Sequence, residues 1–315
     1  MKTAIVTGAA GFIGSHLSEK LLENGFKVIG IDCFTDYYSK KIKKNNMISF
    51  QNNKNFKLIE SDLMEIDLIS IIKESEFLFH EAAQPGVRAS WGDQFDTYVK
   101  DNILVTQKIL ESAKEVKTLE KIVMASSSSV YGEQEGIMIE NKTIPSPISP
   151  YGVTKLASEN LGLTYASNYD LPVTSLRYFT VYGPRQRPDM AFTKFIKANL
   201  SGDKISIFGD GNQTRDFTYI SDIIDANLEC VKSEIHGNVL NIGGGKTYSI
   251  MDVLNIIENI TDKNNKLIFL TKQKGDVFRT EADIKMASKI IGYKPKISLK
   301  EGLMKQIELI KKIIF

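Results

Sequence analysis

The sequence predicts an α/β protein, a doubly wound parallel sheet with a smaller C-terminal α/β lobe. Three observations carry that reading. Short apolar runs alternate with helical patterns up to Tyr178. A turn holding Gly8, Gly11 and Gly14 joins the first apolar run to the first helix. Beyond Tyr178 helices predominate and the strands between them shorten. The expected division is 1–178 and 179–315, with the chain interlaced between the two lobes.

Taken in order, Thr3–Thr7 is apolar throughout and reads as a strand covered on both faces. Phe12–Glu23 follows as a helix, ended by Asn24 and Gly25. Lys27–Ile31, Phe56–Glu60 and Phe77–Phe79 are further strands, and the lysine run from Lys40 to Lys44 reads as a solvated loop. A helix covers Phe95–Glu115, and Lys121–Ala125 and Pro172–Arg177 are strands. Strands alternating with helices imply right-handed βαβ units. The segment Ile144–Pro150 holds three prolines and cannot be a helix interior; it delivers the chain to a helix beginning at Tyr151. In the second lobe, Asp189–Ser201, Ser221–Ser233, Ser249–Asn259 and Leu299–Phe315 read as helices, with strands at Lys204–Ile207 and Asp216–Tyr219.

Composition excludes several classes. The chain has 315 residues, 42% hydrophobic and 25% charged, an ordinary globular balance. A net charge of +2 gives no basic field for nucleic acid. No apolar run approaches the ~18 residues that span a bilayer. Cys33 and Cys230 lie far apart and form no metal or disulfide pattern, which suits a reducing compartment. The N-terminus enters a strand and a glycine turn rather than a signal peptide, so a cytoplasmic protein is expected.

Tyr151 and Lys155 are four apart and share one helix face. A free phenol ionises near pH ~10. A neighbouring ammonium favours the phenolate, and a bound nicotinamide cation favours it further. Such a tyrosine can accept a proton from a substrate hydroxyl. The pattern alone is common, and an amphipathic helix explains it as well. The glycine turn adds context, because Gly8, Gly11 and Gly14, with Phe12 and Ile13 opening the helix, let backbone N–H groups approach a pyrophosphate. Asp32 ends the second strand, where an acid bonds adenosine ribose hydroxyls and repels a 2′-phosphate, favouring NAD over NADP. Asp62 and Leu63, and also Ala82, Ala83 and Gln84, stand at carboxyl ends of strands, where doubly wound folds bind ligands.

Together these residues, with the serine run Ser126–Ser129 ahead of Val130, Tyr131 and Gly132, resemble the extended short-chain dehydrogenase/reductase superfamily, and in particular its nucleotide-sugar epimerases and dehydratases. Gly209–Tyr219 is similar to that group too, so the resemblance covers nearly the whole chain. It implies a Rossmann-type sheet, a retained NAD and a UDP- or dTDP-sugar substrate. Ser127 would bond the sugar O4, Tyr151 would be the base, and Lys155 would hold the phenolate and the nicotinamide ribose. Asn102 and Tyr178 join the expected cofactor set. The family's dimer would pair the Phe95–Glu115 and Tyr151 helices of two copies.

The branch is read from departures. Dehydratases and decarboxylases of the family carry acids where this chain has Ser128 and Ser129, and dehydration needs a general acid there. UDP-glucose 4-epimerases commonly carry asparagine where Thr180 stands. The stretches Gln84–Trp91 and Tyr182–Phe192 resemble the UDP-glucuronic acid 4-epimerases, which implies UDP-glucuronate and UDP-galacturonate as substrates. Ser128, Ser129 and Thr180 would then receive the C6 carboxylate. Arg187 and Arg215 are candidates for pyrophosphate. Pro85, Gly86 and Arg88 would lie near the sugar or, for Arg88, near the phosphates. Asp276 and Arg279 are candidates for the uridine ribose, although Gln273 stands where the family often has arginine. Met190 and Phe192 line either a uracil slot or the core. Glu81 replaces a usually apolar residue and is read as either a paired buried acid or a surface group, with no catalytic role. No metal is expected. The alternatives are a UDP-glucose 4-epimerase and a non-catalytic NAD-binding regulator, which would need no base.

Overall fold

The computed structural model describes residues 1–314; Phe315, expected to end the last helix, lies outside the described residues. The chain begins β1 (Thr3–Thr7), α1 (Phe12–Glu23), β2 (Lys27–Asp32), α2 (Lys40–Asn46) and β3 (Phe56–Glu60). Next come α3 (Leu68–Ile72), β4 (Phe77–His80), α4 (Phe95–Tyr98) and α5 (Val105–Lys114). β5 (Lys121–Ser127), α6 (Pro150–Tyr169) and β6 (Val173–Tyr178) follow. Beyond them lie β7 (Val181–Tyr182), α7 (Ala191–Ser201), β8 (Lys204–Phe208), β9 (Thr214–Asp216), β10 (Thr218–Tyr219) and α8 (Ile220–Lys232). The chain continues through β11 (Asn238–Ile242), β12 (Thr247–Ser249), α9 (Ile250–Thr261), β13 (Lys266–Leu270), α10 (Lys285–Ile291) and α11 (Leu299–Ile314).

Seven strands form one parallel sheet in the order β11-β6-β5-β4-β1-β2-β3. Strand order reverses at β1: the chain runs outward through β2 and β3, then returns to place β4 on the other side. That switch point opens a crevice at the carboxyl ends of β1 and β4, where such sheets bind ligands. Both faces are covered, which is why β4 and β6 are buried at every residue. One core joins the α1 and α8 face to the second lobe. The other packs α3, α5 and α6 on the opposite face.

Several elements depart from the sequence reading, and short ones such as α3, β12, β13 and α10 are absent from it. The lysine run is a helix, α2, rather than a loop. Lys40, Lys41 and Lys44 stay exposed, but Lys43 turns inward and donates to the Thr35 carbonyl at 2.8 Å. The long helix after Phe95 is not uniform, because a π-helical stretch at Val99–Leu104 separates α4 from α5. Asp216–Tyr219 is two strands. β9 pairs antiparallel with β12 and β10 parallel with β7, because buried Asp216 turns its carboxylate to the Gly244 and Ala282 N–H groups. β11 was not anticipated, and it carries residues from beyond Tyr178 back to the edge of the main sheet. Among the described residues no helix is long and apolar enough to cross a membrane, and no His, Cys, Asp and Glu cluster could hold a metal ion.

Candidate active site

A cleft of about 1220 Å³, counted out to open solvent, lies at the switch point. Its floor is the glycine turn. Gly8 has φ +70°, and a Cβ at Gly14 would fall 2.2 Å from the Gly8 carbonyl oxygen, so the turn closes only around glycine. Asp32 is fixed at one end, accepting from the Ala10 N–H at 3.0 Å and the Phe34 N–H at 2.8 Å. Phe12, Ile13, Gly11, Asp62, Leu63, Ala82, Ala83 and Gln84 all line the same cleft. Tyr151, Lys155 and Tyr178 line it as well. Asp62 is paired with Lys100 at 2.6 Å. Asn102, expected in the cofactor set, lies behind the wall. Its side chain bonds both backbone groups of Gln84 and the Thr154 hydroxyl, bracing the Gln84 loop against α6. An elongated cleft with a bare-backbone turn and a fixed carboxylate fits a dinucleotide.

The residues expected to react meet at the other end. Ser149 caps α6, its hydroxyl accepting from the Gly152 N–H, and Pro150 opens the first turn. This start aims Tyr151, Lys155 and Glu159, each four residues on, at the sheet. Ser127 is the last residue of β5. Its hydroxyl accepts from the Ser129 N–H at 3.1 Å, capping a short turn over Ser128–Val130. Burial raises the Tyr151 phenol above its ordinary value, while a hydrogen bond with Ser127 and the positive charge of Arg187 pull it back down. Arg187, Tyr151 and Lys155 line the same cleft. Burial lowers Lys155 to about 8, against the opposing charges of Glu81 and Glu159. Behind Lys155, Glu159 accepts from Arg177 at 2.9 and 2.5 Å and from the Ser126 hydroxyl at 2.7 Å, and Arg177 lies over the Tyr131 ring.

A second cavity of about 570 Å³ is lined by Ser128, Ser129, Thr180, Arg215 and Asp276. Arg215 donates to the carbonyls of Thr214 and Phe278, which hold its guanidinium. Arg88 pairs with Asp276 at 2.6 Å and lies 4.1 Å from the centre of the Phe208 ring. Arg187 forks onto Asp189 with two bonds of 2.9 Å and lines the first cleft beside Pro85. Gly86 has φ +107°, a backbone conformation that favours glycine, and a Cβ there would lie 2.6 Å from the Tyr37 hydroxyl.

Three candidates stand away from the cavities. Phe192 is 2% exposed and packs on Tyr182 and Phe217 in the core, following Met190 at the start of α7; neither residue lines either cavity. Arg279 bonds the Glu281 carboxylate and lines neither cavity. Glu81 is half-buried, with Oε2 closed to solvent. It accepts from the Tyr178 hydroxyl at 2.8 Å and lines the first cleft. Lys43, Tyr37 and Tyr38 line it too; the lysine run reads as a solvated loop in the sequence, and nothing there singles out the two tyrosines. Only an acid ending an apolar strand hinted at Glu81.

The model for the "NAD dependent epimerase/dehydratase family" matches residues 4–243. "UDP-glucuronate 4-epimerase" of Thermodesulfobacterium geofontis is 39% identical over 320 residues, covering 98% of both chains. "Uncharacterized UDP-glucose epimerase YtcB" of Bacillus subtilis is 45% identical over 305 residues, covering 96% of both. The crystal structure of UDP-glucuronic acid 4-epimerase from Bacillus cereus in complex with UDP-glucuronic acid and NAD superposes with a TM-score of 0.96, at 46% identity and 99% coverage of both chains. On that match and these likenesses, the chain belongs to the NAD dependent epimerase/dehydratase family.

Proposed function

We propose that this protein is an NAD-dependent 4-epimerase that interconverts UDP-glucuronate and UDP-galacturonate. One observation carries the choice of substrate: Ser128, Ser129 and Thr180 line a single cavity with Arg215. Three hydroxyls and a nearby cation suit a carboxylate at C6. At positions 128 and 129 no acid stands ready to protonate a departing hydroxyl, which disfavours dehydration.

NAD, bound along the first cleft, supplies hydride acceptance from C4 and its return. The chain's own residues do the rest. Tyr151 takes the O4 proton and gives it back, Ser127 orients O4, and Lys155 holds positive charge beside the phenolate. The 4-keto sugar must turn over between the two halves of the cycle, so the nucleotide is held tightly and the hexose loosely. A 4-keto uronate is a β-keto acid and loses CO₂ when its carboxylate bond aligns with the carbonyl π system. Ser128, Ser129 and Thr180 keep the carboxylate out of that alignment.

Residues 1–178 serve as the NAD-binding domain and 179–315 as the UDP-sugar lobe, with β11 lent back to the first. The working unit is a homodimer built on α4–α5 and α6, in the cytoplasm, where unpaired Cys33 and Cys230 persist. The purified protein, with no added cofactor, is incubated separately with UDP-glucuronate and UDP-glucose, and products are resolved by ion exchange. UDP-galacturonate from the first is the expected product. Conversion of UDP-glucose alone would reassign the protein to neutral hexoses, and no conversion of either would make it a silent NAD binder.

A further inference from the structure

The reacting end of the first cleft contains a carboxyl group that the proposed cycle leaves unused. Glu81 directly follows β4, at the switch point. One oxygen accepts from the Tyr178 hydroxyl at 2.8 Å, and the same hydroxyl is bonded by the Asn227 amide at 2.8 Å. The other oxygen, Oε2, is closed to solvent and has no hydrogen-bond partner. Both Glu81 and Lys155 line the cleft. A carboxyl oxygen buried without a partner is costly unless it serves a charge.

We propose that Glu81 is a positioning residue, the counter-charge that keeps Lys155 in its ammonium form at the reacting end of the cleft. The proposal rests on the epimerase reading only in giving that ammonium a task beside Tyr151. Burial works against both groups. It raises Glu81 to about 7, opposed by the Tyr178 hydrogen bond and the Lys155 charge. It lowers Lys155 to about 8, and Glu81 is the first charge opposing that fall. Each charge therefore opposes the effect of burial on the other, Glu81 with help from the Tyr178 bond and Lys155 with help from Glu159.

No other group around the pair can do this. On the same strand His80 is bonded to Thr7 and Thr106 and, through burial, is lowered to about 3, so it is uncharged. From β6, Tyr178 is neutral, its phenol pushed far up by burial. From α8, Asn227 carries no charge, and burial raises Cys230 to about 12. From α6, Tyr151 is itself the group to be ionised. Glu159 also acts on Lys155, but its carboxylate is already taken by Arg177 and Ser126. Of the two carboxylates acting on Lys155, Glu81 is thus the one with an oxygen left without a hydrogen bond.

The test reads Lys155 directly in the NAD-loaded, full-length protein. Lysine labelled with ¹³C at the ε-carbon is titrated by NMR, with the Lys155 signal assigned by its loss in Lys155→Met. Glu81→Gln keeps an acceptor for Tyr178 but removes the charge. It should lower the Lys155 midpoint by ~1 pH unit or more, as loss of an adjacent opposite charge does. The alkaline limb of kcat/KM should move down with it. Glu81→Asp keeps the charge and should hold the midpoint above that of Glu81→Gln. Should Gln prevent folding, Glu81→Leu removes the charge while filling the space with apolar atoms, and the same fall is expected. A midpoint unchanged in Glu81→Gln or Glu81→Leu, or equal in Asp and Gln, would overturn the proposal. An inactive wild type would sink the epimerase reading and leave the titration to decide Glu81.

Discussion

In the proposed cycle Tyr151 takes up a proton and gives it back at a place where burial raises its phenol. The help visible in the protein comes from Ser127 and Arg187, so the phenol's tuning is shared among β5, α6 and the segment before α7. The shared face of Tyr151 and Lys155 was legible in the sequence because their spacing is local, whereas Ser127 entered through the family resemblance. Arg187 at the phenol, and Glu81 at Lys155, were not legible, since both arrive through tertiary folding from distant positions. Phe192 stayed open between two readings for a related reason. An aromatic at a helix start suits either a slot or a core, and only the surrounding Tyr182 and Phe217 decide it. At this scale the Ser128, Ser129 and Thr180 hydroxyls make a distinct prediction. Ser128→Ala or Thr180→Ala should raise the share of pentose, formed by CO₂ loss, relative to hexuronate product. An unchanged ratio in both variants, measured by chromatography, would remove these hydroxyls from carboxylate control.

The glycine turn and α6 are the elements that turn sequence into site. Gly14→Ala places a methyl 2.2 Å from the Gly8 carbonyl oxygen, a contact no rotamer can relieve. The expected outcome is a folded protein that no longer co-purifies with NAD, read as loss of cofactor released on denaturation. Most strands of the main sheet were legible because a strand buried on both faces is a continuous apolar run. β11 escaped because Asn238–Ile242 carries two asparagines, and its identity as a strand comes from pairing with β6, far back in the chain. Helix α2 escaped because four lysines in seven residues look like a solvated face, whereas Lys43 is anchored inward on Thr35. The Asp216–Tyr219 run was read as one strand because its alternation is continuous, and the carboxylate of Asp216 divides it.

At the level of the whole molecule, the sheet's switch point binds both lobes to one task, and its stability has a pH signature. His80 is buried between β1 and α5, bonded through both ring nitrogens, and burial lowers it to about 3 from 6.5. A histidine depressed in the fold takes up its proton on unfolding. Its contribution is present above pH 6.5 and is lost as pH falls toward 3, at about 1.4 kcal/mol per pH unit. Urea unfolding at pH 6.5 and pH 5 should therefore show His80→Gln losing about 2 kcal/mol less than the wild type over that interval. Equal losses would mean the imidazole is not held neutral.

The central claim is that Tyr151 moves only the hydroxyl proton while the hydrogen on C4 leaves and returns without meeting water. The direct measurement is turnover of UDP-glucuronate carrying deuterium at C4, in ordinary water, with the product analysed by NMR. The account predicts UDP-galacturonate with deuterium retained at C4. Deuterium exchanged for solvent hydrogen at that carbon would contradict it.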